Sequence, residues 1–279
     1  MEHHSEGQLA GTEGALHWQA WTGTQPEKAL LVIAHGFDDH SARYAHVADY
    51  LVKRGYAAYA LDQIGHGQSE GRRGHVIAFD DYVTDLERFV ALAQAQKPGL
   101  KTFLIGHSQG GLVVLRYGLR NPNRVQGVVA SGAALMTALP VPAWKITLSR
   151  LLSVAMPSFS LANGIPLDRL SHNPAVAEAR RADPYLHGVA SARWAVEFFG
   201  AQADTLASAP RFTLPCLLLH GGDDQLVSPE SSRRFYATCG STDKTLKIYD
   251  GLYHELYNET GKEQILAEVA AWLDARAAA

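Results

Sequence analysis

Five short apolar runs, spaced as strands separated by return helices, constrain this chain more than any other feature. They are Ala29 to Ala34, Tyr56 to Leu61, Thr102 to Ile105, Val125 to Ala130 and Pro215 to Gly221. A strand that packs on one face alternates apolar and polar residues. One buried on both faces does not, and that is the habit of a parallel sheet covered by helices. The intervening segments have helical character: Ser41, a candidate cap, to Gly55; about Phe79 to Gln96, closed by Pro98 and Gly99; Gly110 to Arg120; and about Pro229 to Cys239. A strand over Thr245 to Tyr249 and a helix from about Lys262 to Ala277 complete the rhythm. Strand and helix repeating at crossover spacing predict an α/β class fold, a doubly wound and mostly parallel sheet with helices on both faces.

Two segments depart from that rhythm. At the start, Gln8 to Ala10, the turn Gly11 to Gly14, and the alternating Leu16, Trp18 and Ala20 predict a hairpin of two antiparallel edge strands. Between about Gly132 and Ser208, Pro140, Pro142, Pro157 and Pro166 punctuate short helical patterns with no clean strand. The expectation is one domain over residues 1–279 whose residues 136–208 form an inserted helical cap. Within it Trp144, Leu148, Leu151, Leu152 and Ala155 share a helical face, followed by Phe159 and Leu161. That face either packs on the main domain or lines a lid over an acyl chain, and contact with a membrane surface is a further reading.

Composition excludes several functions. With 19% charged residues, a formal net charge of -3 and no block of like charges, the chain is not expected to bind nucleic acid. No amino-terminal apolar run or spanning stretch is present, so a cytoplasmic protein is expected, with peripheral membrane contact through the cap as the alternative. Cys216 and Cys239 imply no disulfide framework. Thirteen histidines include no metal-ligand spacing, and Gly65 to Gly71 places its third glycine one residue late for a dinucleotide fingerprint, so neither metal nor cofactor is expected. His3 and His4 are expected to be disordered surface residues.

The chemistry is carried by Gly106-His107-Ser108-Gln109-Gly110, a Gly-x-Ser-x-Gly elbow with an apolar strand before it and a helix after it. The turn strains the serine backbone and lifts its hydroxyl, and side chains at the flanking glycines would strike neighbouring backbone. Gly111 would let the following helix approach the sheet closely. A serine hydroxyl needs a base and an orienting carboxylate, and in the α/β-hydrolase fold these follow in the order Ser, acid, His on loops after late strands. Asp223 and Asp224 lie on the loop after Leu217 to His220, and His254 lies on the loop after Leu246 to Tyr249. Spacing alone does not separate the two aspartates. The backbone amides of Gln109 and Phe37 are the candidates for an oxyanion hole. His35 and His107, which flank these elements, are expected to support them by hydrogen bonds rather than react.

These residues resemble the monoacylglycerol lipase and lysophospholipase family of α/β-hydrolases over nearly the whole chain. The likeness runs through His35 to Tyr44, Asp62 with Gly65 to Gly71, Gly106 to Gly111, Ala182-Asp183-Pro184, and Asp243 to Tyr249 with His254. It implies an eight-stranded sheet, makes Asp224 the acid by alignment of Gly221 to Leu226 with the family's Gly-x-x-Asp pattern, and places Asp39 and Arg43 near the alcohol end of the substrate. The chain departs from the animal lipases at Tyr257, where they carry a glycerol-binding histidine, and Phe37 is bulkier than the alanine some members have. The expected function is hydrolysis of single-chain lipid esters, monoacylglycerols foremost, through an acyl-enzyme. A lysophospholipase or broad carboxylesterase is the alternative enzyme, a related peptidase on the same scaffold is a further rival, and a non-catalytic ligand receptor is the alternative class.

Overall fold

The computed structural model describes residues 3–138 and 143–278. Met1, Pro140 and Pro142 lie outside the described residues. In chain order the elements are β1 (His3–Ala10), β2 (Ala15–Thr22), β3 (Ala29–Ala34), α1 (Ala45–Val52), β4 (Tyr56–Leu61), α2 (Asp80–Gln96), β5 (Thr102–His107), α3 (Gln109–Arg120) and β6 (Gly127–Ser131). They continue with α4 (Ala143–Ala155), β7 (Ser160–Ala162), α5 (Pro174–Ala182), β8 (Val189–Ser191), α6 (Ala192–Ser208), β9 (Cys216–Gly221), α7 (Pro229–Thr238), β10 (Lys244–Tyr249) and α8 (Lys262–Ala277).

Eight strands form one sheet in the order β1-β2-β4-β3-β5-β6-β9-β10. All pairings from β4 to β10 are parallel, and β2 runs antiparallel to both its neighbours. The apolar runs are buried along their full length because the sheet is covered twice. On one face α1 and α8 pack Leu51, Val47, Ile265 and Leu273 against Leu31, Ile33 and Leu219. On the other, α2, α3 and α7 bring Phe89, Leu112 and Phe235 onto Val32, Leu104 and Leu218.

The amino-terminal hairpin forms, but only β1 is an edge. β2 pairs with β4 as well, so His17, Gln19 and Trp21 turn inward on its second face. His3 and His4 are part of β1 rather than disordered; His4 stacks on Trp21 at 5.4 Å and lies 3.1 Å from the Gln19 amide oxygen. The expected helix from Ser41 divides into a 3-10 turn, Ser41–Tyr44, followed by α1.

Among the described residues, the chain between β6 and β9 adds no strand to the main sheet. It does contain strands, contrary to expectation: β7 and β8 pair antiparallel, Ser160 to Ser191 and Ala162 to Val189. Each is only three residues long, too short for its period to stand out among the neighbouring prolines and glycines.

The outward connections of the sheet reverse between β3 and β5, which leaves a crevice at their carboxyl ends. Ala34 of β3 pairs with Gly106 of β5, so the loop carrying Phe37 leaves the sheet directly beside Ser108.

Candidate active site

Ser108 adopts φ 54 and ψ -118, and it and Asp38 are the non-glycine residues with positive φ among the described residues. A left-handed backbone at a non-glycine residue is costly unless its surroundings enforce it. Here the Ser108 N–H donates to the Ser131 carbonyl at 2.9 Å, and its own carbonyl accepts from Leu112 N–H at 3.1 Å and Ala134 N–H at 3.0 Å. The flanking glycines allow the turn. A Cβ on Gly106 would lie 2.3 Å from the Gly110 carbonyl oxygen, and one on Gly110 would lie 2.1 Å from that of Ala34. The close approach expected of Gly111 is also present, its neighbour being the Ala133 backbone at 2.8 Å from an added Cβ.

Asp224 and His254 meet across two loops. The His254 Nδ1 lies 2.6 Å from Asp224 Oδ2. The other carboxylate oxygen, Oδ1, accepts the N–H groups of Leu226 at 2.9 Å and Val227 at 3.0 Å, and His220 Nε2 lies 3.2 Å from Oδ2. Burial works against the Asp224 charge, but the two imidazoles hold its carboxyl far below the usual carboxylate range. Burial would likewise lower His254, yet the Asp224 charge and hydrogen bond outweigh it and leave the imidazole above its ordinary value. Asp223 is exposed to solvent. The geometry thus separates two aspartates that spacing could not.

Ser108 and His254 line one cavity of about 270 Å³, walled chiefly by Phe37, Trp194, Phe198, Leu226 and Val227. Gln109 is the first residue of α3, where a backbone N–H has no preceding turn to bond. The Phe37 N–H belongs to the same planar peptide as the Gly36 carbonyl, which lies 2.7 Å from His35 Nδ1. His35 Nε2 accepts the Gln63 N–H at 2.9 Å, so the neutral imidazole with its proton on Nδ1 suits both contacts, and burial lowers its pKa accordingly. His107 tilts against the His254 ring at 4.7 Å and is pushed down to about 3 by burial and by the neighbouring His254.

Asp39 and Arg43 do not line this cavity. Asp39 is buried with Arg43 Nε 2.8 Å from its Oδ1, and although burial opposes its charge, Arg43 and Arg180 bring the carboxyl down to about 2. Arg43 also faces Glu255, the residue after His254, at 3.6 Å. Tyr257 is buried away from the cavity as well, 6.4 Å ring to ring from His107.

Sequence reasoning missed the residues that join this site to the β6–β9 segment. Arg180 of α5 donates to Glu255 at 3.0 Å and to the Asp38 carbonyl at 2.6 Å. The Asp38 carboxylate accepts the N–H groups of His187 and Gly188 at 2.7 and 3.0 Å and the Asn163 amide at 2.9 Å. His220 was legible, as a polar residue closing an apolar strand four positions before Asp224. Arg180 and Asp38 offered only ordinary surface residue types.

Residues 25–261 match the family model described as serine aminopeptidase, S33. The monoacylglycerol lipase of Mycolicibacterium smegmatis is 34% identical over 271 residues, covering 96% of each chain. Among solved structures, the Paleococcus ferrophilus monoacylglycerol lipase superposes with a TM-score of 0.86 at 32% identity, covering 94% of this chain and 99% of that one. A soluble variant of the Saccharomyces cerevisiae monoglyceride lipase, in complex with a substrate analogue, gives 0.88 at 25% identity over 97% and 94%. The chain is a carboxylic ester hydrolase acting on lipid esters, and it belongs to the monoacylglycerol lipase family of α/β-hydrolases.

Proposed function

We propose that this enzyme hydrolyses monoacylglycerols through an acyl-enzyme on Ser108. The observation that carries the reading is a strained turn that presents a half-buried Ser108, and an Asp224-paired imidazole, to the same largely apolar cavity. His254 takes the Ser108 Oγ proton as the oxygen adds to the ester carbonyl, and the amides of Phe37 and Gln109 receive the developing oxyanion. The intermediate collapses as His254 returns that proton to the departing glycerol oxygen. Water, deprotonated by the same histidine, then releases the fatty acid and restores Ser108.

The wall of the cavity favours a neutral head group. Among the described residues lining it there is no Lys, Arg, Asp or Glu. A lysophospholipid phosphate would call for a cation there, and the charged α-amino group of an aminopeptidase substrate would call for a carboxylate. Glycerol needs neither, and Asn163, Thr137, Gln202 and Gln225 supply neutral polar groups.

Residues 136–208 serve as the cap over this cavity in the same reading. Trp144, Leu148, Leu152, Phe159 and Leu161 line an adjoining cavity of about 300 Å³ that shares Asn163, Ala190 and Trp194 with the first, which suits a continuing acyl chain better than plain core packing. Leu151 and Val154 on α4 face solvent and would meet the lipid surface from which the substrate comes. Asp39 and Arg43 act on the alcohol side by bracing the Phe37 loop rather than by touching glycerol.

The test is a panel of monoacylglycerols, lysophospholipids and p-nitrophenyl esters of graded chain length, with Ser108→Ala alongside. The expected result is fastest cleavage of medium or long monoacylglycerols and no activity in the variant. Preference for lysophospholipids or for acetyl esters overturns the substrate assignment.

A further inference from the structure

We propose that Trp194, a residue of the β6–β9 segment, is a positioning residue for the oxyanion hole, acting on both of its halves at once. Its ring stacks on Phe37 with centroids 3.9 Å apart and planes within 25°, and its indole N–H donates to the Gln109 side-chain oxygen at 2.9 Å. Phe37 and Gln109 are the two residues whose amides receive the oxyanion in the reading above, on which this inference rests.

The Gln109 side chain has no part in that amide chemistry, yet it is fully buried and lines neither cavity. A buried primary amide is costly unless its groups are bonded. Its oxygen accepts the Trp194 indole N–H, and its nitrogen lies 3.4 Å from the Gln63 side-chain oxygen. Gln63 in turn donates to the His35 carbonyl at 2.6 Å. With His35 Nδ1 on the Gly36 carbonyl, both peptides leading to the Phe37 N–H are thereby held. A closed circuit runs from Trp194 through Gln109, Gln63 and His35 to Phe37 and back to the indole face.

Trp194 is itself fixed. Its backbone N–H caps on Ser191 Oγ at 3.1 Å, and Ser191 N–H donates to the Gly74 carbonyl at 2.9 Å, tying the start of α6 to the main domain. With α6 seated by these bonds, the indole holds the Phe37 ring and the Gln109 side chain together. Arg180 and Asn163 also join the segment to the Asp38 side of this loop, but Trp194 is the side chain that meets both Phe37 and Gln109.

The test is a double-mutant cycle with Trp194→Phe, which keeps an aromatic ring and removes the N–H, and Gln109→Leu, which removes the acceptor without altering either cavity wall. The readouts are kcat and KM on p-nitrophenyl butyrate, affinity for a phenylboronate that forms a tetrahedral adduct at the serine, and thermal melting. Each single variant is expected to lose kcat/KM by roughly tenfold to a hundredfold through kcat, with boronate affinity falling in parallel and KM little changed. The double variant is expected to lose no more than the worse single one. Wild-type kcat in either single variant, losses that multiply in the double, or a raised KM with intact boronate affinity overturns the proposal. Should Gln109→Leu not melt cooperatively, Gln109→Met replaces it. Ser108→Ala in the same assay separates the two failures: activity there sinks the serine reading itself, whereas an inert Ser108→Ala beside unaffected Trp194 variants sinks only the coupling.

Discussion

The loops at the carboxyl edge of the sheet and the segment between β6 and β9 face the same cavity but are held in opposite ways. The loops are short and leave strands of the main sheet, and the Asp224 carboxylate receives three donors from the late loops themselves, the N–H groups of Leu226 and Val227 and the His254 imidazole. Among the described residues the segment adds no strand to the main sheet, and it turns much apolar surface outward, with Leu151 66% and Val154 82% exposed. Bond-forming chemistry needs groups fixed to fractions of an ångström, which the sheet edge provides. In the proposed function the segment would recognise a flexible chain leaving a lipid surface, a task that tolerates a looser apolar wall.

The largest effects are therefore expected at the sheet edge. Ser108→Ala should lower kcat/KM by roughly 10⁵-fold or more while leaving the melting temperature in place. Asp224→Asn should cost about 10⁴-fold, since it removes the charge that orients His254 and stabilises its protonated form. It should also move the pH profile. In the wild type, kcat/KM should rise with pH through a value above 6.5, because the base must be neutral and Asp224 raises its pKa. Without that charge, burial dominates and the inflection should fall below 6.5. The linked stability has the opposite sign: the raised His254 contributes below its unfolded pKa and is lost as pH rises through the folded one. An unmoved profile in Asp224→Asn would mean that another group sets the pH dependence.

The seam between the two regions comes next. Arg180 bonds Glu255, beside His254, and the Asp38 carbonyl, beside Phe37. Arg180→Ala takes the nearest cation from the buried Glu255 carboxylate, leaving it Arg43 at 3.6 Å and the Asn258 amide, and should cost about 3 kcal/mol in urea unfolding. A loss under about 1 kcal/mol would show that water readily replaces the guanidinium, and that the segment is only loosely joined to the site.

The same contrast decides what was legible in the sequence. The α/β class and nearly every strand and helix of the main domain could be placed, because each apolar run needs only its own neighbourhood to declare itself. The elbow was legible for a steric reason, since Gly106 and Gly110 lie where a Cβ would meet a carbonyl oxygen. The choice of Asp224 over Asp223 came only from family resemblance, as burial is a property of the folded loop. The β7–β8 pair, Arg180 and Asp38 were illegible for the same reason. Their partners lie far along the chain, Asp38 and Arg180 being 142 residues apart, and no local period marks such contacts.

The smallest effect should fall on the outer face of the segment, and it is the one that most sharpens the contrast. Leu151 and Val154 sit on the solvent side of α4, so replacing them by Asp removes little buried area, and Leu151→Asp with Val154→Asp should change stability by less than about 1 kcal/mol. Neither lines the cavities, so kcat/KM on a soluble butyrate ester should stay within about twofold of wild type. On a long-chain monoacylglycerol carried in anionic vesicles, the added charge opposes insertion of the face, and turnover should fall several-fold. If both substrates slow equally, α4 shapes the cavity after all and the segment belongs with the rigid edge. If neither slows, substrate reaches Ser108 through water and the exposed face has no part in the reaction.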